Sequence, residues 1–319
     1  MIERKDTLED LISFKDKNLI KVVAGIRRCG KSTMFELFQD YLKNNHVNEE
    51  QIITVNLEDG DYRDLRTSKS LYEYVENKLN KDHKNYVFLD EIQQVENFHE
   101  CVDWLYAKKS VDLYITGSNA FLLSSELATL LSGRYVEIKM QPLSFKEYVS
   151  AFPNNANLPM LYVNYLQNSS FPGTLELERK KDIRAYLEGI YNTILLKDIV
   201  TRKKIADPSQ LQSVVEFIFD NIGNLCSSTK IANAMTSYGR KISVPTVESF
   251  LSALADSFII YKVGRYDVKG KQYLSTGSKY YVADIGLRYY LLGSKRADMG
   301  HILETVSYTH LTLPTNREV

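Results

Sequence analysis

The chain has 319 residues, 44% hydrophobic and 25% charged, proportions that suit a folded protein with room for two cores and exclude a chain disordered at large. Forty basic residues balance forty acidic ones, so the molecule as a whole lacks the positive field of a general nucleic-acid binder. Cys29, Cys101 and Cys226 lie far apart without C-x-x-C spacing, which supports neither a disulfide framework nor a zinc site. Met1 to Lys21 contains no apolar run suited to a signal peptide or membrane span, so a cytoplasmic protein with no membrane partner is expected.

Ile20 to Ala24 reads as a buried strand, and it runs into Gly25-Ile26-Arg27-Arg28-Cys29-Gly30-Lys31-Ser32, which fits G-x-x-x-x-G-K-[ST] at every fixed position. The glycines let backbone N–H groups surround a triphosphate, Lys31 reaches the β and γ phosphates, and the Ser32 hydroxyl ligates Mg²⁺. Thr33 to Tyr41, with Met34, Leu37, Phe38 and Tyr41 at helical spacing, reads as a helix whose N-terminus faces the anion. Gly25, Arg28, Gly30, Lys31, Ser32 and Thr33 are therefore the expected ATP-contacting set.

Further strands are expected at Ile52–Leu57, Tyr86–Leu89, Leu113–Thr116 and Tyr135–Met140. Helices are expected at Ser70–Asn80, Phe98–Lys108 and Ser124–Leu131. This alternation predicts a parallel sheet covered by helices. Asp90 and Glu91 close the second of these strands about sixty residues after the loop, where the second nucleotide motif belongs. Asp90 would hold Mg²⁺ and Glu91 would polarise the water that attacks the γ-phosphate. Ser118 or Asn119, after the next strand, would reach the same crevice, with a helix cap as the alternative. Arg134, in Ser132-Gly133-Arg134-Tyr135, is placed to act as an arginine finger on a neighbouring copy in a homo-oligomer. No N-K-x-D guanine-reading motif follows Asp90, so ATP is the favoured nucleotide.

Composition shifts near Pro142. Asn154–Pro159 and Ser169–Gly173 read as loops, and helices dominate from there to about Ala234, including Ile183–Val200. Ser228 or Thr229 is expected to cap a helix to Ser237, and Pro245 to open another through Leu254. Strand-like runs at Phe258–Val263 and Lys279–Ala283 follow, an order expected of a winged helix. From Leu225 to Tyr281 eight basic residues stand against three acidic ones, which leaves DNA binding and packing against protein equally open for this half.

Together these features resemble a family of prokaryotic ATPases of the AAA superfamily, the archaeal-ATPase-like group. The resemblance rests on Gly25 to Ser32, Phe88-Leu89-Asp90-Glu91-Ile92-Gln93, Ile115-Thr116-Gly117-Ser118, Leu131 to Tyr135, Pro142-Leu143-Ser144-Phe145 and Tyr280 to Leu287. It implies an α/β P-loop domain with helices on both faces of the sheet, followed by a mainly helical domain containing a winged helix. It also implies ATP binding and hydrolysis. The expected organisation is an ATPase domain over 1–145, a helical connection over 146–206, a winged-helix domain over 207–306 and a non-native or disordered tail over 307–319. Two departures stand out: Ser169-Ser170 replaces the Gly-Gly common before Phe-Pro, and the likeness stops near Val306, as in a truncated reading frame. The function expected is an Mg²⁺-dependent ATPase coupled to its winged-helix half. The alternative is a nucleotide-controlled DNA-binding module or a signalling or defence switch with little turnover.

Overall fold

The computed structural model describes residues 2–118, 133–154, 157–264, 277–293 and 298–311. The chain folds as two compact units, Met1–Gly25 with Gly30–Met140, and Ile26–Cys29 with Gln141–Val319.

In the first unit, strands Ile20–Ala24 (β1), Ile52–Asn56 (β2), Asn85–Asp90 (β3), Val111–Gly117 (β4) and Tyr135–Lys139 (β5) pair in the order β2-β3-β4-β1-β5. Every pair is parallel. β1 and β3 are buried along their whole length, as the mainly apolar strands of a parallel sheet covered on both faces are, and the buried Lys21 of β1 is paired with Asp112 of β4. Alternate residues of β3 and β4 point to opposite faces. Val87, Leu89, Leu113 and Ile115 join the core cluster that contains Leu71 and Val75 of helix Ser68–Lys78 and Cys101, Val102 and Leu105 of helix Phe98–Tyr106. Phe88 and Tyr114 turn the other way and stack at 4.9 Å, and Phe35 and Phe38 of helix Lys31–Asn44 (α1 hereafter) close on them at 5.1 Å each. This aromatic packing fixes the helix after the phosphate loop to the strand that carries Asp90. The register aligns Ala24 with Gly117 and Leu89 with Ile115, so the carboxyl ends of β1, β3 and β4 share one edge. The helix expected over Ser124–Leu131 lies outside the described residues.

The second unit is mainly helical. Helices occupy Phe145–Ser150, Leu158–Asn168, Lys180–Asn192, Pro208–Asp220, Ser228–Ser237, Val244–Asp256, Ile285–Leu292 and Met299–Leu311. A three-stranded antiparallel sheet is built from Leu225–Cys226 (β6), Ile260–Val263 (β7) and Ser278–Val282 (β8), in the order β6-β8-β7. Several expectations are corrected here. The stretch expected to be loop to Pro159 turns helical at Leu158, because the Asn157 side chain accepts from Met160 N and Pro159 sits in the first turn. The helix expected over Ile183–Val200 does reach that far, but it winds as a π-helix over Thr193–Thr201. The cap of helix Ser228–Ser237 is Ser227, one residue earlier than expected, its hydroxyl accepting from Lys230 N at 3.1 Å.

Ser169 has a positive φ, 87° with ψ 156°, and is fully buried. That conformation is all but reserved for glycine. Beside it Asp284 caps helix Ile285–Leu292 through Leu287 N at 2.7 Å and accepts from Ser170 N and Oγ at 2.7 and 2.6 Å. The last helix runs past Val306 to Leu311, with the Tyr308 ring stacked on Tyr281 at 4.5 Å. Among the described residues no helix is long and apolar enough to cross a membrane.

Candidate functional site

The loop after β1 has the shape its sequence calls for. Arg28 and Gly30 adopt positive φ, 68° and 102°, and α1 begins at Lys31, two residues earlier than expected, so its first N–H groups open onto the loop. Ser32 and Thr33 are exposed at that mouth and Arg28 is exposed beside it, while Lys31 is buried. Lys31 Nζ donates to Gly25 O at 3.1 Å and lies 3.5 Å from Glu91 Oε1. Within the second unit, Arg27 grips Asp198 of the π-helix with Nε and Nη2, both at 3.1 Å.

The carboxyl end of β3 supplies the acids. Asp90 and Glu91 are both buried, and Ser32 donates its hydroxyl to the Asp90 carboxylate. The Thr116 hydroxyl, at the end of β4, also donates to Asp90 and accepts from Glu91 N at 2.8 Å. Glu91 is left-handed, with φ 54° and ψ 50°, a conformation that is strained for a residue with a side chain and that gathers at functional sites. Its Oε2 accepts from Ser118 Oγ at 2.9 Å and from Gln93 Nε2. Burial pushes the Asp90 carboxyl above its ordinary value, with the neighbouring Glu91 charge adding to it and the Ser32 and Thr116 hydroxyls and Lys31 opposing.

The structure therefore brings Gly25, Gly30, Lys31, Ser32, Asp90, Glu91 and Ser118 to one edge of the sheet. Asn119 lies outside the described residues. Arg134 is elsewhere: its carbonyl accepts from Ile20 N at the start of β1, so it sits at the opposite end of the strands, about 13 Å of strand rise from the loop. Its guanidinium lies 3.5 Å from Asp103 and over the Tyr106 ring. Two residues without an assigned role in the sequence, Thr116 and Gln93, hold the acidic pair. Thr116 ends the strand next to β3, a place from which its hydroxyl can reach across. Gln93 arrives only because the single turn Ile92–Gln94 folds back toward Glu91.

A family model described as an AAA domain matches residues 17–149, and one described as a domain of unknown function, DUF8612, matches residues 160–298. An uncharacterised protein of Haemophilus influenzae is 38% identical over 315 residues, covering 98% of this chain and 78% of its own length. The chain belongs to the AAA-domain family. A second uncharacterised relative, from Methanocaldococcus jannaschii, is 29% identical to this AAA-domain protein over 309 residues, covering 92% of this chain and 66% of the relative. Among solved structures, the Walker-type ATPase of Pyrococcus abyssi superposes with a TM-score of 0.63 at 16% identity, covering 91% of this chain and 96% of its own, which shows a common fold. The five-stranded parallel sheet and phosphate loop of this AAA-domain protein are those of a P-loop ATPase fold.

Proposed function

We propose that this AAA-domain protein binds ATP with Mg²⁺ and hydrolyses its β–γ anhydride bond. The observation that carries the reading is the buried constellation in which Glu91 meets Lys31 on one carboxylate oxygen and Ser118 on the other. The donor set suits Mg²⁺, being hard oxygen throughout: the Ser32 hydroxyl and the Asp90 carboxylate, already in hydrogen-bonding contact. Held by Ser32 and Asp90, the ion would supply positive charge to offset that on the phosphate oxygens. Lys31 and the loop amides hold the β and γ phosphates. Glu91 accepts a proton from the attacking water as its oxygen bonds to the γ-phosphorus. The bond to the β–γ bridging oxygen breaks, ADP leaves with the electron pair, and the proton passes on to the released phosphate. In a homo-oligomer Arg134 would be offered to a neighbour's γ-phosphate, since its own site lies at the other end of the strands.

The test is phosphate release by purified protein with ATP and Mg²⁺, beside Lys31→Ala and Glu91→Gln. Turnover that survives Glu91→Gln overturns the role of that carboxylate, and the absence of calorimetric heat on titrating Mg–ATP overturns the whole reading.

A second reading concerns the other unit. Its helix, turn, helix and hairpin are in winged-helix order, and Lys230, Arg240 and Lys241 are exposed around helix Val244–Asp256. The exposed side chains of that helix, Pro245, Glu248, Ser249 and Ser252, include no cation. We infer that any DNA bound here is held mainly through phosphates by the flanking cations, under control of nucleotide state. DNA affinity should then fall steeply with salt. No binding at low salt favours a protein partner instead, and slow turnover with a nucleotide-dependent oligomeric state favours a switch.

A further inference from the structure

Gln93 carries a feature that the reading above does not use. Its Nε2 donates to Glu91 Oε2 and lies 3.3 Å from Ser118 Oγ, yet among the described residues its Oε1 is buried without a hydrogen-bond partner. A buried acceptor left unmatched is costly and calls for an explanation such as a catalytic role or a water. Turning the amide round does not remove the cost, because the amide oxygen would then face the Glu91 carboxylate.

An attacking water has two hydrogens and must keep a lone pair toward phosphorus, so it needs two acceptors. Glu91 is one. The neighbouring hydroxyls are committed: Thr116 donates to Asp90 and receives Glu91 N, and Ser118 donates to Glu91. Lys31, which faces Glu91 Oε1, is drawn to the phosphates when nucleotide binds and releases that oxygen.

Resting on the ATPase reading, we propose that Gln93 positions the attacking water, its Oε1 accepting one hydrogen while Glu91 accepts the other and its Nε2 fixes the carboxylate. The carboxamide thus supplies acceptor and orienting donor from one rigid plane.

The experiment compares wild type, Gln93→Ala, Gln93→Met and Glu91→Gln for kcat, KM and Kd for Mg–ATP by calorimetry. Gln93→Met keeps the length and packing of the side chain and decides the matter if Gln93→Ala unfolds. The expected result is a kcat lower by about 10²-fold, on the scale of losing one preorganised polar contact to the reacting groups, with Kd within about twofold. Unchanged kcat, or kcat and affinity falling together, overturns the proposal. If wild type turns over and only Glu91→Gln is dead, this inference alone falls. If wild type does not hydrolyse ATP, it falls together with the ATPase reading.

Discussion

Lys31 and Glu91 neutralise each other at the head of the sheet, Nζ 3.5 Å from Oε1, with side chains 4% and 9% exposed. A polyanion entering the loop must draw Lys31 off that carboxylate, so part of the interaction with phosphate is offset by the ion pair it replaces. Glu91→Gln keeps the shape and removes the competing charge. Calorimetry should find Mg–ATP bound more tightly by roughly 3- to 10-fold, equivalent to about 1 kcal/mol, while phosphate release is lost. Weaker binding by the variant would show that the pair does not compete with nucleotide.

Thr116 serves both acids with one hydroxyl, donating to Asp90 and accepting from Glu91 N. Thr116→Val preserves volume but leaves a buried N–H and a buried carboxylate each short of a partner. Destabilisation of about 1–3 kcal/mol in urea unfolding is expected, with Thr116→Ser restoring most of it. Equal stability of the Val and Thr proteins would mean that water or a backbone shift replaces the hydroxyl.

The raised carboxyl of Asp90 has a definite consequence for stability. The native state holds this proton to higher pH than the unfolded chain, whose Asp ionises near pH 4. Raising the pH through the interval between these two values ionises the unfolded chain first, so the group's contribution to stability is lost there and stays lost above the native value. Asp90→Asn has no such loss and keeps an acceptor for Thr116. In metal-free buffer the two proteins should match near pH 4, and the Asn variant should be the more stable at pH 7. A wild type that gains on the variant as pH rises would reverse the sign. The same variant should lose Mg²⁺-dependent turnover.

Legibility in the sequence followed the range of the interaction. The loop from Gly25 to Ser32, its strand and its helix are local patterns, in which glycine placement and 3.6-residue spacing leave little choice. Asp90 and Glu91 stand out because two acids terminating an apolar strand, a weak sign alone, are what a phosphate loop calls for beside it. Thr116 and Gln93 carry no such mark: their roles depend on strand order, on register and on a turn that reverses toward Glu91, none of which is written within a short window. The change to π-winding at Thr193 hid for a different reason. Tyr191, Leu195 and Ile199 keep the four-residue spacing of an α-helix, so the apolar pattern carries no sign of the wider turn. Ser169 shows the reverse case, in which a departure from the family that the sequence resembles falls on a real backbone demand, a positive φ.

That demand can be tested through Gly286. A Cβ added there would lie 2.4 Å from Ser169 Cβ, 2.5 Å from its Cα and 2.6 Å from its N, so relief requires main-chain movement rather than a rotamer change. Gly286→Ala should therefore destabilise the second unit by about 1–3 kcal/mol, the range for overpacking a tight core. Ser169→Gly acts on the same contact from the other side. It removes the strain of a positive φ, roughly 1–3 kcal/mol, and gives up the hydroxyl that accepts from Phe171 N at 3.1 Å and donates to the Asp284 carboxylate, bonds worth about 1 and about 1.5–3 kcal/mol. The single variant should come out neutral to modestly destabilised. In the double variant, the loss of Ser169 Cβ and the freer backbone should recover part of the Gly286→Ala penalty, because the Cα and N contacts remain. A double variant whose unfolding free energy equals the sum of the two single changes would show that Ser169 and Gly286 do not press on each other.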